Sequence, residues 1–181
     1  MRLNFDRLVV AIRNMMEAHS RLYDAIKEHD TVDADGDGVA AHVGLSLSIA
    51  DWVPVRDGEI SDHPDDVTAA NNLRYIYHHA FPQSFLEGGF DSDFDGTSDE
   101  EHPDWANKLD WLGLQYYFRA GVTGKVQLLP AINGMICLQG FEELSAGSCL
   151  NIPDETKWVS SMGYEFYEPG FGSLLKEYSN T

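Results

Sequence analysis

Positive charge is scarce in this sequence. Twelve lysines and arginines stand against thirty aspartates and glutamates, a net charge of −18. Such a balance repels the phosphates of nucleic acids and of anionic lipid surfaces, and so argues against both as partners. No apolar run approaches the roughly 18 residues that span a bilayer. The start, "MRLNFDRLVV", has no apolar h-region or cleavage site of a secretory signal. A soluble, unexported chain is expected, cytoplasmic or of unassigned compartment. Cysteine is nearly absent. Cys137 and Cys149 make neither a CxxC pair nor metal-ligand spacing with a histidine. They read as ordinary reduced, half-buried residues behaving as small hydrophobes, with a disulfide as the alternative. Among seven histidines only His78 and His79 adjoin, and neighbours on a helix point in different directions, which argues against a shared metal.

What is present suffices for one folded domain: 43% of the 181 residues are apolar. Phe5, Leu8, Val9, Ile12, Met15, Met16, His19, Leu22, Tyr23 and Ile26 recur at helical spacing and predict a long amphipathic helix over residues 3–29. Lys27 and His29 suit its C-terminal dipole, and the aspartates that follow stop it. "HVGLSLSIA" at 42–50 has no helical stripe and reads as a buried strand. After a loop containing Pro54 and Gly58, Pro64 and two acids open a helix over 65–87, with Val67, Ala70, Leu73, Ile76, Tyr77 and Ala80 as its inner stripe and Pro82 expected to end or kink it. "LDWLGLQYYF" at 109–118 reads as a second strand. Residues 119–163 are broken by glycines and prolines into a long irregular loop, and a short helix closes the chain over 168–179. Helix, strand, helix, strand with crossovers long enough for parallel pairing gives an α/β class.

Two acidic runs invite a metal. "DADGDG" offers Asp33, Asp35 and Asp37; "DSDFDGTSDEE" offers Asp91, Asp93, Asp95 and Asp99, with Glu101 nearby. Alternating aspartates around a glycine are what calcium needs to collect oxygens from one turn. Neither run is an EF-hand. Position twelve is Gly44 counted from Asp33 and His102 counted from Asp91, so the bidentate glutamate is missing from both. Calcium is one reading of each run, and a solvated acidic turn is the other.

Four strings in order, "NMMEAHSRLYDAI", the "VG" of the strand at 42–50, "LDWLGLQYYF" and "MGYEFYEPGFGSLLKEYS", together resemble the middle of a family 1 glycoside hydrolase of the β-glucosidase kind. In that family a helix "LL.AHA.AYDAI" follows the fourth strand, "VG...N" is the fifth, "D(F/W)LG.NYY" the sixth, and "MGWE.YP.GL..LL..Y" leads to the seventh. The resemblance implies a partial TIM (β/α)8 barrel: about two strands with flanking helices and long loops. It implies hydrolysis of O-glycosyl bonds by a pair of carboxylates about 5 to 5.5 Å apart. The family carries those carboxylates in "NEP" and "ENG" motifs, and neither string occurs here. The sequence therefore resembles the segment between them. No residue inherits a catalytic role, and no cofactor is required, calcium remaining open. A glycoside or oligosaccharide would be bound only with the missing strands supplied, and self-association or a complementing fragment is expected.

Carried over residue by residue, the second tyrosine of the family's "NYY", which positions the nucleophile, corresponds to Tyr117; the asparagine two places earlier is Gln115 here. Tyr116, by strand alternation, should face the helices. Trp52 reads as a βα-loop aromatic, covering apolar surface or stacking a sugar. Asp51 and Arg56 are weaker candidates, and Trp105, Trp111 and Trp158 read as packing residues. Both acidic runs fall in αβ connections, the face of such barrels that serves stability. The alternative function is a noncatalytic acidic, calcium-binding structural or interaction module.

Overall fold

The structure, a computed structural model, describes residues 5–127, 131–137, 148–151, 164–165 and 167–179. Its first element is α1 (Phe5–His29), followed by β1 (Gly44–Arg56) and β2 (Glu59–Ile60). Next come α2 (Pro64–Arg74), a π-helical turn (Tyr75–His79) and α3 (Ala80–Glu87). The short strands β3 (Gly89–Phe90) and β4 (Glu100–Glu101) precede β5 (Trp111–Thr123), β6 (Met135–Ile136) and α4 (Glu168–Tyr178). Four strands form one sheet in the order β2-β1-β5-β6, and β3 and β4 form a second. The class is α/β with a partial sheet, and the described residues close no barrel.

Both long strands run further than their apolar patterns suggest. The 42–50 strand continues to Arg56, which brings Asp51, Trp52 and Pro54 into the sheet. Pro54 is tolerated because its carbonyl is the group used, accepting the Ser61 N–H at 2.9 Å. Asp57 and Gly58 then take φ of 53° and 89°, the two positive values that a two-residue hairpin turn requires. They set Arg56 against Glu59 and Val55 against Ile60 in an antiparallel ladder. At the far side of the sheet Val122 faces Ile136 and Thr123 faces Met135, also antiparallel. The outer edges of β1 and β5 are therefore partly paired by two-residue strands.

The 65–87 helix does not end at Pro82, which lies inside α3. Its hydrogen-bond pattern widens earlier, in the π turn at Tyr75–His79, and Pro82 then falls in the first turn of α3, where a missing N–H leaves nothing unpaired. Gly88, with φ 79°, caps α3.

Packing divides the chain into two units, Met1–Leu47 with His78–Leu114, and Ser48–Tyr77 with Gln115–Thr181. In the first, Met16, Phe85, Phe90 and Trp105 form the core, flanked by Val9, Ile12, Leu45, Phe81 and Leu109. Only part of the α1 stripe points there: Leu8, Met15, Leu22 and Ile26 are exposed. In the second, Ala50, Trp52, Ala69, Ala70, Leu73, Ala120, Val122 and Ile132 are buried together. Ala69 thus replaces Val67 as the inward residue of α2.

Cys137 and Cys149 are joined in a disulfide with their Cα atoms 5.0 Å apart, which overturns the reduced reading. Spacing alone could not show this, because the approach depends on β6. There the Cys137 N–H donates to the Gly121 carbonyl at 2.9 Å and fixes one end of the loop.

Candidate functional site

Alternation along β5 sorts its aromatic residues. Gln115 and Tyr117 are exposed, and the Tyr117 hydroxyl donates to Gln115 Oε1 at 2.7 Å. Tyr116 points the other way, toward α4. Its hydroxyl donates to the Tyr167 carbonyl at 2.8 Å, and its ring stacks on Phe171 at 5.8 Å. The approach needs Gly170, since a Cβ there would sit 2.6 Å from the Tyr116 oxygen. Burial first, and then the negative Asp51 and Glu165, hold the Tyr116 phenol above its usual range.

Behind this face lies an aromatic chain. Tyr164 stacks on Phe118 at 5.0 Å and tilts toward Tyr117 at 6.5 Å. Phe118 meets Trp52 edge-on at 5.8 Å, and Trp52 meets Tyr77 at 5.2 Å. Trp52 is thus a buried strand residue, not a loop aromatic, and only 4% of it is exposed. Its indole Nε1 has no hydrogen-bond partner among the described residues. Asp51 lies in β1 beside Gly170.

Sequence reasoning missed the most highly connected polar groups. Arg119, two residues beyond Tyr117, grips Glu165 through Nε at 2.9 Å and Nη2 at 2.6 Å. Its guanidinium lies 3.7 Å from the centre of the Tyr167 ring, a bidentate and stacked use that lysine could not reproduce. Glu165 belongs to the string "MGYEFYEP", but nothing in that string marks Arg119 as its partner. Arg56, noted only weakly, donates to Asp66 from Nε at 2.7 Å and Nη2 at 3.1 Å. Asp66 also accepts from Ser61 Oγ at 2.6 Å, Thr123 Oγ1 at 3.1 Å and the Gly124 N–H at 2.8 Å. Burial alone would raise its pKa, but the Arg56 contact and then these donors outweigh burial and hold it well below the carboxylate range.

The packing expectation for the other tryptophans divides. Trp105 is buried, and its Nε1 donates to Glu17 at 2.8 Å. Trp111 is half exposed, its ring lying where a Cβ on Gly44 would be. Trp158 lies outside the described residues.

The two acidic runs fold alike. Gly36 and Gly38 donate to Asp33 at 2.7 and 2.9 Å. Asp95 and Gly96 donate to Asp91 at 3.2 and 2.7 Å. The second run sits between β3 and β4, whose ladder sets Gly89 opposite Glu101 and Phe90 opposite Glu100. One carboxylate oxygen from each of Asp33, Asp35 and Asp37 lies within 4.8 Å of the others, and the same holds for Asp91, Asp93 and Asp99. Asp95 stands outside that group and accepts the Thr97 N–H at 2.8 Å. Burial, then the charges of Asp95 and Asp99, raise the Asp93 pKa. Three clustered oxygens fall short of the six to eight calcium takes, leaving room for backbone carbonyls or water.

The chain is 30% identical over 178 residues to the β-galactosidase of Pyrococcus woesei, covering 97% of this chain and 34% of that protein. It is 29% identical to the β-galactosidase of Sulfolobus acidocaldarius, covering 98% of itself and 30% of the relative. The chain is a homologue of part of the family 1 glycoside hydrolases. No family model matches it. In fold, this family 1 homologue is similar to the family 1 β-glucosidase of Thermotoga maritima, with a TM-score of 0.67 at 17% identity, over 98% of this chain and 35% of that one. It is likewise similar to a psychrophilic β-glucosidase of Micrococcus antarcticus, with a TM-score of 0.63 at 19% identity, over 97% and 37%. The chain spans about a third of the length of the curated relatives it matches. Among the described residues no helix is long and apolar enough to cross a membrane.

Proposed function

We propose that this chain supplies the central strands of a retaining β-glycosidase acting on β-galactosides or β-glucosides, and that it does not hydrolyse them by itself. The observation that carries this reading is 30% identity along 97% of the chain to only 34% of a β-galactosidase. The Gln115–Tyr117 face of β5 is its contribution to the site: a phenol held by a neighbouring amide oxygen, placed to orient a carboxylate that other strands provide. Purified chain should show no turnover of aryl β-galactosides or β-glucosides. Joined to the remaining two thirds of a family 1 relative it should gain activity, and Tyr117→Phe should then lower kcat more than it raises KM. Turnover by the isolated chain would refute the reading and would require a carboxylate pair within these residues.

A second reading, a noncatalytic acidic module that binds calcium for stability, is favoured by the oxygen clusters at Asp33, Asp35 and Asp37 and at Asp91, Asp93 and Asp99. Calorimetric titration with calcium tests it. Heat and stoichiometry unchanged by Asp93→Ala with Asp99→Ala would exclude the second loop.

A further inference from the structure

We propose that Cys137–Cys149 is a redox-controlled fastener: oxidised, it holds residues 148–151 on β5 and on the β1–β2 turn, and reduction by a dithiol releases them while the sheet beneath stays folded. Three contacts pin this segment. Cys149 is tied to Cys137, which follows β6 and whose N–H donates to the Gly121 carbonyl at 2.9 Å. Ser148 lies against β5, where a Cβ on Gly121 would come within 1.7 Å of the Ser148 carbonyl oxygen. Asn151 closes the far end: its N–H donates to the Gly58 carbonyl at 2.8 Å, and its side-chain amide fills the space that a Cβ on Gly58 would need. With the strands in the order β2-β1-β5-β6, the segment reaches from the β6 side of the sheet, past β5, to the β1–β2 turn.

Without the covalent bond this docking is weakly supported. Among the described residues 148–151 have one backbone hydrogen bond to the sheet, from Asn151. Ser148 is fully buried, yet its Oγ has no hydrogen-bond partner among the described residues. A stranded hydroxyl opposes burial, and one net hydrogen bond does not offset the ordering of several residues. The disulfide offsets both by keeping Ser148 beside β5 at a high effective concentration. The turn beneath has a fastening of its own, because Arg56, Ser61, Thr123 and Gly124 all donate to Asp66. Losing the segment therefore leaves β1 and β5 joined. Cys149 is the more open of the two cysteines, Cys137 being buried. One thiolate of the reductant attacks Cys149 Sγ, the S–S bond breaks, and its electron pair leaves on Cys137 Sγ, which takes a proton. The reductant's second thiol then displaces Cys149 as a thiol, so the dithiol becomes a disulfide and both cysteines are reduced.

Amide hydrogen exchange of the 181-residue chain, oxidised and in millimolar dithiothreitol, tests this. On reduction the Asn151 amide should lose protection by about tenfold or more beyond any loss at the Gly124 amide. Cys137→Ser with Cys149→Ser should exchange like the reduced chain with no reductant present. Ser148→Ala should return part of the Asn151 protection to the reduced chain, because it removes the stranded hydroxyl. Equal losses at Asn151 and Gly124 would make the disulfide a brace for the whole fold and overturn the proposal. Unchanged protection at Asn151, or a bond that dithiothreitol reduces only in denaturant, would overturn it as well.

Discussion

Removing the Asp66 carboxylate should be among the most damaging single changes in this chain. Asp66 is fully buried in the first turn of α2 and receives five hydrogen bonds, from Arg56 twice, Ser61, Thr123 and Gly124. Asp66→Ala leaves the Arg56 guanidinium without its counter-charge and strands the buried Thr123 hydroxyl and the Gly124 N–H. Breaking one side of a buried pair costs about 3–5 kcal/mol. The Arg56 side chain is 29% exposed, so water recovers part of that loss, while each stranded donor adds about 1–3 kcal/mol. A net loss of about 4 kcal/mol corresponds to a fall in Tm of about 8–16 °C at this chain length. Urea titration and thermal melting by circular dichroism measure it. pH supplies an independent signature. The folded pKa of Asp66 lies below its unfolded value, so its stabilisation is present above about pH 4 and is lost as pH falls further toward the folded value. The parent should therefore weaken in acid more steeply than Asp66→Asn. A loss under about 1 kcal/mol, or acid profiles of parent and Asp66→Asn that run parallel, would refute the reasoning.

Reduction of Cys137–Cys149, or replacement of both by serine, should cost about 3 kcal/mol, the loop-closure value for a separation near twelve residues; equal melting with and without reductant would count against it. Asp110, which accepts from Lys27 at 2.6 Å, Val43 at 2.8 Å and Tyr23 at 2.8 Å, has its pKa held down to about 2, burial being outweighed by Lys27 and then these donors. Its stabilisation should be lost between about pH 4 and that value, and Asp110→Asn should flatten the acid limb of a pH–stability curve over that range. If the acidic loops take calcium, Tm should rise with a stabilisation of about 2.7 kcal/mol at a hundredfold excess over Kd and return with chelator. Asp93→Ala with Asp99→Ala should abolish the part due to the second loop. A matching rise in sodium chloride alone would show charge screening instead.

Period and punctuation were enough to locate α1, the joint span of α2 and α3, both long strands and α4, because each rests on local apolar spacing and on cap or breaker residues. Tyr116 facing α4 followed from the two-residue period of a strand. The β1–β2 hairpin was read only as a loop, although the positive φ values of Asp57 and Gly58 belong to a pair that favours such turns. Other features lie in contacts between residues far apart in the chain, which no local pattern encodes. Asp66 reads as an ordinary first-turn acid until Thr123 and Gly124, more than fifty residues on, are brought to it. Arg119 and Glu165 pair across a separation of 46 residues, and the two cysteines meet only because β6 docks on β5. The apolar stripe of α1 shows the limit most plainly. Helical spacing marks Met15 and Met16 as equals, and only the packing of Phe85 and Trp105 against one side buries Met16 and leaves Met15 in water.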